Sequence, residues 1–142
     1  MPEPGLIEAQ LWLNRARDDL GAAAKLLRGN DAYPATASYH CQQAAEKALK
    51  AVLATGDQPI PKTHDLRVLV ERAAGIDPDL LMLQDIAEQL TPLATEFRYP
   101  SDVPDPTRDE ARRALNMARE LFRVIAEHMG ARMDSPDNTN TA

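Results

Sequence analysis

The sequence predicts an all-α fold, an up-and-down bundle of three long helices with one or two short ones. Apolar residues recur at steps of three and four through most of the 142 residues. Aromatics make up only 4% of the chain, so Leu, Ala, Ile, Val and Met must build the core, and that alphabet favours helix over strand. Prolines, glycines and capping side chains punctuate the pattern into separate elements.

Residues 1–5, with two prolines and a glycine, read as a non-helical leader. Leu6, Ala9, Leu13, Ala16, Leu20, Ala23 and Leu27 then trace the seam of an amphipathic first helix that ends near Gly29 and Asn30. Pro34, tolerated in a first turn, opens a second helix reaching Gly56. Its apolar arc carries Ala37, Cys41, Ala44, Ala45, Ala48 and Val52, small enough for close helix approach, and a polar face carries Tyr39, Gln43, Glu46, Lys47 and Lys50, with His40 at its margin. After a proline-containing loop over residues 58–61, Thr63 is placed to cap a short helix to about Ala74, with Leu66, Leu69 and Val70 facing the core. Asp77 and Pro78 suit the N-cap and first position of another helix, lined by Leu80, Leu83, Ile86, Ala87 and Leu90 and ended or kinked at Pro92. Residues 98–106 hold three prolines and read as a loop; Thr107 and Glu110 form a capping box for a last long helix to about Arg132. Residues 133–142 have almost no apolar content beyond Met133 and read as a disordered tail. The chain therefore divides into a leader at 1–5, one helical domain at 6–132 and a tail at 133–142.

Composition removes several function classes. No apolar run approaches the roughly 20 residues of a membrane span, and a single cysteine, Cys41, allows neither an internal disulfide nor a multi-thiolate metal site. No membrane association is expected, and a reducing cytoplasm is the expected location. The net charge of −6 argues against nucleic-acid binding through bulk charge, though not against a local basic groove. Histidines 40, 64 and 128 are far apart in sequence, so no metal site is expected. No phosphate-binding glycine loop, dinucleotide fingerprint or zinc-binding helix motif is present.

Three segments carry the functional signal: Tyr39-His-Cys-Gln-Gln-Ala-Ala-Glu-Lys-Ala-Leu-Lys50, then Pro61-Lys-Thr-His-Asp-Leu66, then Phe97-Arg-Tyr-Pro100. Their content, order and spacing resemble the HEPN family (higher eukaryote and prokaryote nucleotide-binding), in particular the stand-alone bacterial branch often encoded beside a minimal nucleotidyltransferase. The resemblance spans roughly residues 6 to 130. It implies a helical bundle, usually a homodimer, and action on RNA or nucleotides, either as a ribonuclease toxin or as the partner of a nucleotidyltransferase; no cofactor is expected.

In ribonuclease members an arginine and a histidine four to six residues apart, brought together across a dimer, cleave RNA without metal. The match here is Arg123-Val-Ile-Ala-Glu-His128, which the resemblance makes the candidate catalytic pair. Five helical steps turn a side chain by about 140°, so the two cannot converge within one helix, and Val124 stands where the family pattern tends to place a polar residue. Cations in the last turns of a helix also have a plain role, since they complement its dipole.

Gln43, Glu46, Lys50, His64, Arg98 and Tyr99 are the candidate ligand-binding residues. Tyr39, Gln43, Glu46 and Lys50 form one polar stripe that suits a nucleotide; Glu46 and Lys50 alone also read as a routine i, i+4 pair, worth about 0.3 kcal/mol in isolation. His64 reads as a hydrogen-bonding brace for its loop or as an acid–base group, chemistry that imidazoles perform near neutral pH. Arg98 and Tyr99 either pin their loop or grip a phosphate and a base. On the last helix Arg108, Arg112, Arg119 and Arg123 fall within an arc of about 60°, either a phosphate-reading stripe or a solvated face laced with ion pairs to Glu120 and Glu127. Trp12, one position off the first seam, reads as partly buried. The favoured reading is a nucleotide- or RNA-binding partner of a nucleotidyltransferase in a toxin–antitoxin-type pair. The alternatives are a metal-independent endoribonuclease using Arg123 and His128, and a helical adaptor with no ligand.

Overall fold

In the computed structural model, residues 3–95, 100 and 103–133 are described. Candidates Arg98 and Tyr99, and the tail from residue 134, lie outside them. The described residues form α1 (Pro4–Leu26), α2 (Pro34–Thr55), α3 (Leu66–Ile76), α4 (Gln84–Leu90) and α5 (Arg108–Met133), with 3-10 segments at Pro78–Leu83 and Thr91–Ala94 and no strand. This is the predicted bundle of three long helices with shorter ones between.

The first helix starts inside the expected leader. Pro4 occupies its first turn, where a fixed φ and a missing N–H cost nothing, and Leu6 and Ile7 already donate to the Glu3 carbonyl at 3.0 and 3.2 Å. Ala9, Leu13, Ala16 and Ala23 are buried along the predicted seam, and the helix ends at Leu26, before the left-handed Gly29. Antiparallel α1 sets Trp12 against Lys50, towards the C-terminal end of α2, and Asp19 against His40 and Lys47 nearer its middle.

The second helix is the axis of the molecule. It is buried almost all round, between α1, α3 and α5, and only alanine-scale side chains let three neighbours approach one helix this closely. Leu49 and Leu53 fill the wider gaps. Its expected polar face is consequently not a surface: Glu46 and Lys50 are buried, and so is Gln42.

Asp65, not Thr63, caps α3. Its carboxylate accepts from the Arg67 N–H at 3.0 Å and chelates the Arg67 guanidinium through Nε and Nη2. The Arg67 side-chain bond, foremost, holds the Asp65 carboxyl below its ordinary range. Thr63 acts one step earlier, its hydroxyl accepting from the Asp65 N–H at 3.1 Å. The helix expected to open at Asp77 is split into the 3-10 segment, α4 and a second 3-10 turn that accommodates Pro92. Thr91 ties this region to α3, accepting from the Leu66 N–H at 3.1 Å and donating to the Ala87 carbonyl at 2.6 Å. The capping box of α5 forms as its sequence predicts: Thr107 N–H donates to Glu110 at 2.9 Å and Glu110 N–H to the Thr107 hydroxyl at 3.1 Å.

Candidate functional site

Glu46 is the centre of a polar network on α2. Its Oε2 accepts from Lys50 Nζ at 3.0 Å, and its Oε1 sits 2.7 Å from His64 Nδ1 and 3.4 Å from Gln42 Nε2. The Gln42 amide also donates to the His64 carbonyl at 3.0 Å and accepts from Gln43 at 2.7 Å. Residues 61–65 are thereby clamped onto α2 through both the ring and the backbone of His64. Lys50 is closed off from the other side by Trp12 of α1, whose ring centroid lies 5.7 Å from its ammonium. The structure thus brings together four of the six candidate ligand residues, Gln43, Glu46, Lys50 and His64. They are not an open stripe: Glu46 and Lys50 side chains are 5% and 10% exposed, whereas the His64 side chain is 66% exposed.

A second cluster escaped the sequence reading. Asp19 is buried on α1, with His40 Nδ1 at 2.8 Å from one carboxylate oxygen and Lys47 Nζ at 2.6 Å from the other. Its position gave a signal, three residues after Ala16 and four before Ala23, on the apolar seam itself. Cys41, within the core of α2, has its thiol pushed up to about 12 by burial, above all, so it stays protonated and inert at neutral pH.

The candidate catalytic pair is not brought together within the chain. Arg123 is gripped on its own helix, at 2.5 Å and 3.0 Å by Glu120 and 2.7 Å by Glu127, and these carboxylates raise its already high pKa. His128 instead pairs with Asp77, at the end of α3. The expected arginine stripe divides as well. Arg108 donates to the Gly29 carbonyl at 2.6 Å, Arg123 joins its glutamates, and Arg112 and Arg119 line a groove against the end of α1. Among the described residues no group of three His, Cys, Asp or Glu side chains is arranged to hold a metal ion, and no helix is long and apolar enough to cross a membrane.

An all-α bundle whose central helix carries a Gln-Gln-x-x-Glu network closed by a histidine from the next loop defines the class of this protein. The HEPN domain pattern matches residues 9–129, and the chain belongs to that family. Among solved structures it is similar to TT1696 from Thermus thermophilus, with a TM-score of 0.70 and 30% identity, covering 84% of this chain and 97% of that one. No curated protein matches the chain.

Proposed function

We propose that this HEPN protein binds a nucleotide or RNA as the partner of a minimal nucleotidyltransferase, in a toxin–antitoxin-type pair, acting in the cytoplasm as a homodimer. The observation that carries the reading is the mounting of His64. Its ring is exposed, yet its Nδ1 is held by the buried Glu46 carboxylate, and among the described residues nothing engages its Nε2. An imidazole fixed on one nitrogen and open on the other hydrogen-bonds a base edge or phosphate oxygen with little rotamer freedom left to lose. Gln43, linked to it through Gln42, adds an amide at the rim. Glu46 and Lys50 serve as the framework behind these groups, and the family resemblance adds Arg98 and Tyr99.

Equilibrium titration of the purified protein with ATP and with a single-stranded RNA oligonucleotide tests this. His64→Ala should weaken the binding at least tenfold while the circular dichroism spectrum stays helical. Unchanged affinity in that variant would remove His64 from the site. RNA cleavage that survives His64→Ala but is abolished by His128→Ala would replace this reading with the ribonuclease one.

A further inference from the structure

Three arginines in this acidic protein converge without a carboxylate between them. Arg28, just past the end of α1, and Arg112 and Arg119, two turns apart on α5, line a groove of about 310 Å³ floored by the buried Leu27 and Leu115. Asn116 lies between the two α5 arginines on the same wall. Of the other arginines, Arg15 sits on Asp18, Arg67 on Asp65 and Arg123 on Glu120 and Glu127, while Arg17 lies over the Phe122 ring and Arg108 on the Gly29 carbonyl. Arg28, Arg112 and Arg119 have no such partner among the described residues, although the chain holds 22 acidic side chains against 16 basic ones. Crowded like charges repel, and an anion between them reverses the sign of that interaction.

We propose that this groove is a phosphate site, built for phosphate oxyanions carried in series. Guanidinium groups grip such oxygens with paired N–H donors. Arg112 and Arg119 are about 10.5 Å apart along the helix axis at 1.5 Å per residue, so both reach a single phosphate only by converging, whereas a ligand that carries several phosphates gives each guanidinium an oxygen of its own. Asn116 donates to the interval between them. Among the described residues no aromatic ring lines the groove, so these residues offer no stacking platform for a base, and they recognise phosphate alone, tolerant of sequence. Arg108, anchored to the Gly29 carbonyl, steadies the end of α1 that presents Arg28. The groove lies towards the opposite end of the α1–α2 pair from Trp12, Lys50 and His64, so it stands independently of the reading at His64.

The test uses the full chain in phosphate-free buffer, with inorganic tripolyphosphate in one arm and fluorescently labelled single-stranded RNAs of two unrelated sequences in the other. Arg112→Gln/Arg119→Gln, both exposed, should weaken binding at least tenfold and flatten the salt dependence, by about 0.7 for each RNA phosphate no longer neutralised. Arg67→Gln/Arg123→Gln, an equal loss of charge elsewhere, should change affinity less than twofold, and His64→Ala should leave tripolyphosphate binding intact. Affinity for tripolyphosphate assigns the groove to free oligophosphates, and affinity for both RNAs alone assigns it to a phosphodiester strand. Equal losses in the two double variants, or no binding in either arm, would overturn the proposal.

Discussion

Lys50 ends in a charge that water barely reaches, with its ammonium 3.0 Å from Glu46 and stacked over Trp12. Desolvating two opposite charges costs several kcal/mol per ion and is offset only where geometry and further hydrogen bonds are good. Glu46 meets that condition through His64 and Gln42. Lys50→Ala therefore leaves a buried carboxylate short of its cation, and we expect a loss of about 3 kcal/mol, a fall in melting temperature of roughly 6–12 °C for a chain of this size. Thermal denaturation followed by circular dichroism measures it; a shift below about 2 °C would show the pair to be better hydrated than its burial implies. Adding Glu46→Gln to Lys50→Ala should recover part of the loss, because the stranded charge is then gone. The Glu46–Lys50 spacing was legible in the sequence but its burial was not. An i, i+4 pair looks the same on any helix face, and what encloses this one comes from Trp12 and the loop around His64. Asp19 was missed because a carboxylate on an apolar seam makes sense only once His40 and Lys47 are seen opposite it.

At the scale of elements, α1 comes close to the backbone of α2 where it begins. A Cβ built on Gly5 would come within 2.6 Å of the Ala54 carbonyl oxygen, backbone of α2, whereas one on Gly21, further along the same helix, meets nothing within 4 Å. Alanine is the better helix former at either site by about 1 kcal/mol, but at Gly5 it must push two backbones apart. We expect opposite signs: Gly21→Ala raises stability by about 0.5–1 kcal/mol, and Gly5→Ala lowers it by about 1–3 kcal/mol. Urea unfolding of both variants decides, and a stabilising Gly5→Ala would mean that the start of α1 yields freely. Pattern and punctuation made the long helices legible, down to the Thr107–Glu110 box. They did not resolve residues 78–94, because Leu80, Leu83 and Ile86 recur at a step of three, which suits a 3-10 helix as well as an α-helix.

For the whole molecule, the packing redirects the argument for a homodimer. The small-residue seams of the first two helices, which suggested a mating surface, are spent inside the chain, where Ala9, Ala16, Ala23, Ala44 and Ala48 are all buried. One apolar surface that remains open to a second copy is the outer face of α1, where Ile7 and Leu11 are 50% and 60% exposed beside a partly buried Trp12. Exposed large apolar groups in one patch mark an interaction surface more often than scattered ones do. This patch is also self-complementary: two antiparallel copies of α1 set Glu8 opposite Arg15 and Leu11 opposite Trp12, the arrangement an isologous two-fold contact requires. Light scattering at micromolar concentration should then give twice the 15.6 kDa chain mass. Leu11→Glu should return the protein to a single chain with its helical spectrum unchanged, because that side chain is already in water in the monomer. Met82, exposed on the 3-10 segment away from α1, supplies the control, and Met82→Glu should leave the dimer intact. A monomeric parent protein would deny the dimer, and a dimer that survives Leu11→Glu would move its interface off α1.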